Sequence, residues 1–484
     1  MTTIKLDPGA ALLLDALHGA GHAAYAVGGC VRDSLLGLDP HDWDLCTSAR
    51  PEQVMALFGE EKCIPTGLQH GTVTVKQGGR LYETTTFRTE GAYSDGRHPD
   101  AVCFVPDVRE DLARRDFTIN AMAYSAEEGL IDPFGGRDDL AAHLVRAVGE
   151  PERRFEEDAL RILRLYRFAA RFGFAIDPAT GAAARALGPH LDCVSAERIQ
   201  EELLKLLAAP RPGSYLEPAV LAVVLPELEP EKQPERFAEL CRTIDRIEPT
   251  AENVPARLAA LLCPLGEAGA RKALRKLKCS NALTDEVTAL EREAGGGAGS
   301  FLLPRSRDRW AGSSSEDRPL GWDPAAAGRR AGEGMLCNSN DRRQWRMQEV
   351  AVGAAASDTQ AVRSGCWEPQ PELVSDQTLM AKRLLGRYEL PTIKRLTALC
   401  SARHPEQTGA FAALRAEAER LTAENACCRV SQLAVNGRDL MAAGVRPGPG
   451  LRQVLNALLE AVITGQTPNE KDALLAAAAQ FSAS

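Results

Sequence analysis

The sequence predicts an α+β protein in which a strand-bearing N-terminal region, residues 1–139, is followed by helices. Two observations carry this. In the first region, strand-like runs at 23–27, 71–76 and 80–87 are separated by glycine turns and short helical stretches. From Leu140 onward apolar residues recur at helical spacing. A chain of 484 residues exceeds what one core can organise, so roughly three or four units are expected.

Taken in order, residues 12–20 read as a short helix ended by Gly21, and 23–27 as a strand entering Gly28 and Gly29. The helical stretch VRDSLLG follows, so backbone N–H groups at the glycine turn can approach a phosphate. Arg32 lies on that stretch. Asp42 and Asp44 follow, with one residue between them. In an extended segment such a pair projects both carboxylates to one side, where they repel unless a cation sits between them. Hard oxygens at that spacing suit magnesium, which shares its shell with substrate phosphates. Residues 48–58 predict a helix capped by Thr47 or Ser48. Glu83, on the strand 80–87, is either a third carboxylate beside the metal or an outward-facing strand residue. The polar stretch TEGAYSDGRHPD, 89–100, predicts a mobile loop whose Arg97 can swing over a bound nucleotide.

Bulk properties narrow the class. No uncharged apolar run approaches about 18 residues, and the N-terminus MTTIKLDPGA lacks a basic region before an apolar one, so a cytoplasmic location and no membrane partner are expected. Thirteen cysteines without a C-x-x-C pair do not suggest a disulfide framework. The net charge of −9 argues against a nucleic-acid partner globally, but seven arginines between residues 146 and 171 form a local cluster that favours one.

Residues 111–124, DLARRDFTINAMAY, predict an amphipathic segment whose Arg114, Arg115, Asp116 and Asn120 offer hydrogen bonds to phosphates and a ribose hydroxyl. Further on, RFEEDALRILRLYRFAARFGF, 154–174, reads as one helix carrying Asp158, Arg161, Arg164 and Arg167. A spacing of three drifts by about 60° per step on a helix, so Asp158 and Arg161 can act together, Arg164 flanks them and Arg167 looks elsewhere. Cytosine and adenine both present an amino donor beside a ring-nitrogen acceptor. A carboxylate and a guanidinium complement that edge and reject guanine and uracil. A surface salt bridge is the alternative role for the pair.

Together, GGCVRD, DWD, YETTTFR, RRDFTINA, DPFGGRDDL and RFEEDALRILRLYRF occur in the order of the class II tRNA nucleotidyltransferase and poly(A) polymerase family, which residues 20–210 resemble. The DGRHP loop and the form EEDALRILR are more similar to CCA-adding members, and the loop favours full CCA over CC addition. The resemblance implies a nucleotidyltransferase head with a mixed β-sheet, then an all-α neck, body and tail. It implies that Gly29, Arg32 and Arg115 bind the nucleotide, that Asp42 and Asp44 hold Mg2+ and are catalytic, and that Asp158 and Arg161 read the base. Arg164 and Arg167 are implied as further nucleotide contacts. The expected activity is untemplated addition of C, C and A from CTP and ATP to the tRNA 3′ end, with no DNA partner. Poly(A) polymerase, or a catalytically impaired RNA-binding protein, are the alternatives.

On this reading the units are the head at 1–139, the neck at 140–210, a helical body at 211–294, an anomalous segment at 295–377 and a helical body and tail at 378–484. VPARLAALLCPLGE holds Cys263 and Pro264 where many relatives carry a His-Asp dyad, so no second phosphohydrolase site is expected. The anomalous segment contains four of the five tryptophans, and no lysine occurs between Lys278 and Lys382. We read it as a frameshifted stretch without a defined fold, in preference to a disordered insertion, because disordered segments are poor in aromatics. The family pattern returns near Leu379. In the tail a Gly-Pro loop opens a helix, with Arg446 and Arg452 placed to meet an RNA phosphate.

Overall fold

The structure, a computed structural model, describes residues 3–91, 102–295 and 375–481, all of which fall in one unit. The expectations for Arg97 and for the anomalous segment, apart from its first residue and its last three, lie outside the described residues.

Helix α1 (Pro8–Gly19) starts where Asp7 accepts from the amides of Gly9 and Ala10, at 2.9 and 3.2 Å, with Pro8 in the first turn. It begins earlier than periodicity alone places it, because this cap and proline precede the first periodic leucine. Strand β1 (Ala24–Val27), helix α2 (Gly29–Leu35) and strand β2 (Leu45–Thr47) follow. Helix α3 (Pro51–Phe58) is not capped by Thr47 or Ser48. Thr47 Oγ1 donates to the Ala23 carbonyl at 2.8 Å and Ser48 Oγ accepts from the Ala23 amide at 3.0 Å, so both are committed to the strand edge. Pro51 sets the start instead.

Strands β3 (Cys63–Gly67), β4 (Thr72–Gln77) and β5 (Arg80–Thr86) lead to a separate ribbon of β6 (Arg88–Glu90) and β7 (Val102–Phe104). Residues 111–124 do not form one amphipathic element. They divide among the end of α4 (Val108–Ala113), a 3-10 turn at Thr118–Asn120 and β8 (Ala123–Ser125), which pairs with β9 (Gly129–Ile131). The main sheet runs β3-β4-β5-β2-β1-β8-β9, with β2 and β5 parallel and the other pairs antiparallel. Ala24 and Ala26 of β1 face the core that holds Leu13, Leu14 and Leu17 of α1, while Tyr25 and Val27 face Val108 and Leu112 of α4. Both faces of this strand are therefore covered, and its turns are held between two packed layers.

After α5 (Gly136–Ala141) the chain is helical as expected, with one departure. Strands β10 (Leu144–Val145) and β11 (Ala175–Ile176) pair in parallel and strap the ends of the intervening helices together. Those helices are α6 (Pro151–Glu157) and α7 (Leu160–Phe172), so the expected single helix is broken. Asp158 takes extended angles, φ −148° and ψ 101°, and its Oδ1 accepts from the Leu160 amide at 3.1 Å. A short carboxylate that bonds nearby backbone competes with helix continuation, and here it wins.

Helices α8 (Pro178–Ala186), α9 (Ala196–Leu207), α10 (Pro218–Val224), α11 (Pro234–Arg246) and α12 (Val254–Leu262) continue the same hydrophobic core. Arg257 of α12 is fully buried and donates only to backbone carbonyls, those of Leu207, Ala209, Pro210 and Ile247. It thereby satisfies the carboxyl ends of α9 and α11. Cys263 and Pro264 form a 3-10 turn after α12. Helices α13 (Gly266–Lys276) and α14 (Asn281–Gly295) follow, and the next described helix is α15 (Asp376–Arg387), capped by Ser375. Helices α16 (Leu390–Arg403) and α17 (Thr408–Ala423) pack on the body, while α18 (Gly437–Ala442), α19 (Pro449–Ile463) and α20 (Lys471–Phe481) share a small core of their own. Among the described residues no helix is long and apolar enough to cross a membrane.

Candidate active site

The glycine turn between β1 and α2 is pinned from both sides. Gly28 has φ +77° and ψ −122°, its amide donates to the Met122 carbonyl at 3.0 Å, and a Cβ there would lie 2.9 Å from Arg115 Nη1. Only glycine takes this conformation without strain. Arg115 therefore lies against the turn. Its Nη2 donates to Asp111 at 3.3 Å, and its buried Nε has no acceptor among the described residues. Gly29, next in the chain, has Arg32 Nη2 as its nearest neighbour, 3.6 Å from an added Cβ.

Arg32 itself is only 4% exposed. Its Nε donates to Asp33 at 2.8 Å and its Nη1 to Asn120 Oδ1 at 2.5 Å, while the guanidinium lies over Phe168 and Phe172 of α7. Asn120, expected at a ribose, is occupied here in holding Arg32. Arg114 pairs with Asp111.

The two carboxylates stand on one side, as alternation requires. Asp42 and Asp44 are exposed, while Trp43 between them is 5% exposed and packs into the core. The Asp44 carbonyl accepts from Val27 at 3.0 Å, which ties the pair to the end of β1 beside the glycine turn. The parallel pairing of Leu45 with Thr84 brings Asp44 level with Glu83 of β5. Desolvation pushes the Asp44 carboxyl up, and Glu83 and Asp42 push the same way, against the pull of Arg115. Crowded hard-oxygen donors of this kind fit a magnesium ion, which takes one or two carboxylates and completes its shell with water and phosphate. Among the described residues no set of three or more His, Cys, Asp or Glu closes on a single point, so the donors amount to a pair with Glu83 alongside.

At the neck, the break between α6 and α7 separates the remaining candidates. Asp158 and Arg161 do not pair with each other. Arg161 Nη1 donates to Glu157 at 2.7 Å and to the Arg154 carbonyl at 3.0 Å, and its Nη2 to the Arg114 carbonyl at 3.0 Å. Asp158 instead receives Arg198 of α9. Arg164 crosses to Asp116 of the head, with Nε and Nη2 at 2.9 and 2.6 Å from the same oxygen. Burial alone would push the Asp116 carboxyl up. The Arg164 charge and the bonds from Asn120 and Arg164 hold it far below the usual carboxylate range instead. Arg167 faces into the neck, where its Nε donates to the buried Glu202 at 2.5 Å.

Sequence reasoning missed the partners Glu157, Arg198, Asp111 and Glu202. Glu157, four residues before Arg161, and Asp111, four before Arg115, left a local signal on a helical pattern, whereas Arg198 and Glu202 did not. A cleft of about 410 Å³ opens between α4 and α6, lined by Glu110, Arg114, Arg153, Arg154 and Glu157. It does not include Asp42 or Asp44, and it touches the site through Glu157.

Comparison with known proteins accords with this layout. Residues 24–146 match the family model described as the Poly A polymerase head domain, and residues 380–478 match tRNA nucleotidyltransferase domain 2. Residues 173–231 match the family model described as "Probable RNA and SrmB-binding site of polymerase A". A CCA-adding enzyme of Limosilactobacillus fermentum is 33% identical over 478 residues, 97% of this chain and 96% of that protein. One from Leuconostoc citreum is 45% identical over 257 residues, covering 53% of this chain and 63% of that protein. Among solved structures, the Bacillus stearothermophilus CCA-adding enzyme in complex with CTP superposes with a TM-score of 0.70 at 30% identity, covering 98% of each chain. The Thermotoga maritima CCA-adding enzyme with tRNA shares the fold, with a TM-score of 0.60 at 20% identity over 98% of this chain and 96% of that one.

Proposed function

Because the chain belongs to the CCA-adding tRNA nucleotidyltransferase family, and is thus a nucleotidyltransferase, we propose that it adds C, C and A from CTP and ATP to the 3′ end of tRNA. The observation that carries this is the pair Asp42 and Asp44, exposed on one side of buried Trp43, beside the Gly28 turn and Arg115. In the proposed reaction the RNA 3′ hydroxyl attacks the α-phosphorus in line, and the bond to the bridging oxygen breaks to release pyrophosphate. Asp42 and Asp44 would hold magnesium, which when bound supplies Lewis-acid polarisation of the phosphate.

The protein's own groups do the positioning. The Gly28–Gly29 turn and the Arg115 guanidinium receive the triphosphate, with Arg32 fixed behind them. Asp158 accepts from the amino group of cytosine or adenine and Arg161 donates to the adjacent ring nitrogen, so no nucleic-acid template is needed. Arg161 enters this role already oriented by Glu157 and two carbonyls. Arg164 shapes the same wall through Asp116, and Arg167 acts from behind it. Glu83 adds charge beside the carboxylates. Helices α15 to α20, with Arg446 and Arg452 near the start of α19, serve the RNA, and the expected setting is the cytoplasm.

The polymerase A names of two matching models favour one second reading, a poly(A) polymerase. Incubating the chain with tRNA lacking its 3′ end, magnesium and each nucleotide separately decides between them. CTP followed by ATP should extend the RNA by the three residues of CCA and stop. Long A tracts on unrelated RNA would overturn the proposal, and so would undiminished incorporation by Asp42→Ala.

A further inference from the structure

Arg164 of α7 reaches the head, and Tyr166, two residues on, points about 200° around the same helix. There it lines a pocket of about 190 Å³ formed with β11, α8, the 3-10 turn Pro212–Tyr215 and Glu217 at the start of α10. None of these residues belongs to the candidate active site. Tyr166 is 4% exposed, and its buried hydroxyl has no hydrogen-bond partner among the described residues. Burial and the Glu217 charge push this hydroxyl's pKa up, against the pull of Arg185, so it stays a donor with both charges near it. Glu217 and Arg185 stand 3.7 Å apart, too far for a hydrogen bond, and neither side chain makes one elsewhere among the described residues. Two neighbouring polar groups are already committed: Asp177 accepts from the Thr180 amide and hydroxyl at 3.0 and 2.9 Å, and Ser214 donates to Asp245 at 3.2 Å. A buried hydroxyl without a partner is rare, and here it meets two charged groups with bonding capacity to spare.

We propose that this pocket, with Tyr166 at its floor and Glu217 and Arg185 on its walls, binds a guanine base. Its volume is below the about 300 Å³ at which pockets begin to take drug-sized ligands, so it suits one ring system rather than a whole nucleotide. Ile176, Pro178 and the Tyr215 ring give that ring system apolar contact. Guanine alone among the four bases presents two neighbouring N–H donors, from N1 and the 2-amino group, beside a carbonyl oxygen. The Glu217 carboxylate has both oxygens free to accept that pair of donors. O6 has two lone pairs, one for Arg185 and one for the Tyr166 hydroxyl. Adenine and cytosine carry one amino donor on that edge, and uracil a single N–H between two carbonyls, so each leaves part of the constellation unpaired. Side-chain exposure falls from 51% at Arg185 to 22% at Glu217, so the base enters edge first past the arginine. The site shares no residue with the nucleotidyl-transfer machinery, and its guanine comes either from a free nucleoside or from RNA.

The test is titration calorimetry of the full chain, Glu217→Gln and Tyr166→Phe with guanosine, inosine, adenosine, cytidine and uridine, in excess CTP to occupy the active site. Thermal unfolding of each variant checks folding. Inosine, which lacks the 2-amino group, should bind about tenfold more weakly than guanosine, the scale of one charge-assisted bond, and Glu217→Gln should weaken guanosine at least as much. Tyr166→Phe should also weaken guanosine and, without ligand, hold or raise the melting temperature, since it removes a buried hydroxyl that has no partner. A second arm, without magnesium, uses a short single-stranded oligoadenylate with one central guanine against its all-adenine control. Guanine-dependent binding of that RNA, weakened by Glu217→Gln, assigns the pocket to guanine in RNA. Binding of guanosine without binding of the RNA assigns it to the free nucleoside. If neither probe binds, if every nucleoside binds equally, if CTP displaces guanosine, or if both variants keep full affinity, the proposal is overturned.

Discussion

Arg164 of the neck places two nitrogens on one oxygen of Asp116 in the head, at 2.9 and 2.6 Å, and Asp116 is 7% exposed. Removing the charge with Asp116→Asn should cost about 2–3 kcal/mol at neutral pH, at the low end for a buried pair because Arg164 retains partial access to water. The folded carboxyl titrates below its unfolded value, so its contribution is complete above about pH 4 and is lost as pH falls through the folded value. Urea unfolding of wild type and variant across pH should show the gap narrowing below about pH 4. A gap that widens there would refute the pairing.

Gly28→Ala should strike stability and nucleotide affinity together. The position has φ +77°, and an added methyl meets Arg115 Nη1 at 2.9 Å. Strain of about 1–3 kcal/mol is expected. Displacement of Arg115 should raise KM for CTP and ATP alike, since the triphosphate is common to both. Calorimetry and steady-state kinetics check the two halves separately.

Asp42→Asn and Asp44→Asn should do the reverse, leaving the melting temperature unchanged or slightly raised while transfer falls by about a thousandfold or more. Both residues keep solvent-accessible surface, and exchange at either relieves repulsion at Asp44. Magnesium should raise the melting temperature of the wild type and not of either variant. A chelator should abolish nucleotide incorporation without unfolding the chain.

Arg257→Leu should be the most damaging of these substitutions, because it strips three buried carbonyls and a partly buried one of their shared donor at once. A loss of about 3–5 kcal/mol is expected, read as a lower urea midpoint. Arg257→Lys should not rescue it, since an ammonium cannot fan its donors across carbonyls from two helix ends.

What was legible in the sequence is what is encoded locally. The glycine pair, the alternation through Asp42, Trp43 and Asp44, and the helical register from Leu140 each depend on neighbours a few residues away, and each has its counterpart in the fold. The break at Asp158 was hidden because every residue around it favours helix, and a single side-chain bond to the Leu160 amide decides the outcome. Partnerships across the chain left no pattern at all. Nothing in the spacing of Arg198 or Asn120 tells that one holds Asp158 and the other Arg32. The cap expected at Thr47 or Ser48 failed for a related reason, since both hydroxyls were claimed by Ala23 across the strand.

Arg32 lies over two rings of α7, its guanidinium carbon 5.3 Å from the centre of Phe168 and 4.8 Å from that of Phe172. Further along the same seam Arg171 donates to Asp33, and Arg164 to Asp116. Turning one side against the other would unstack a cation and break both ion pairs together. Helix α2, which starts at the glycine turn, and α7, which follows Asp158, are therefore clamped to one another along this seam.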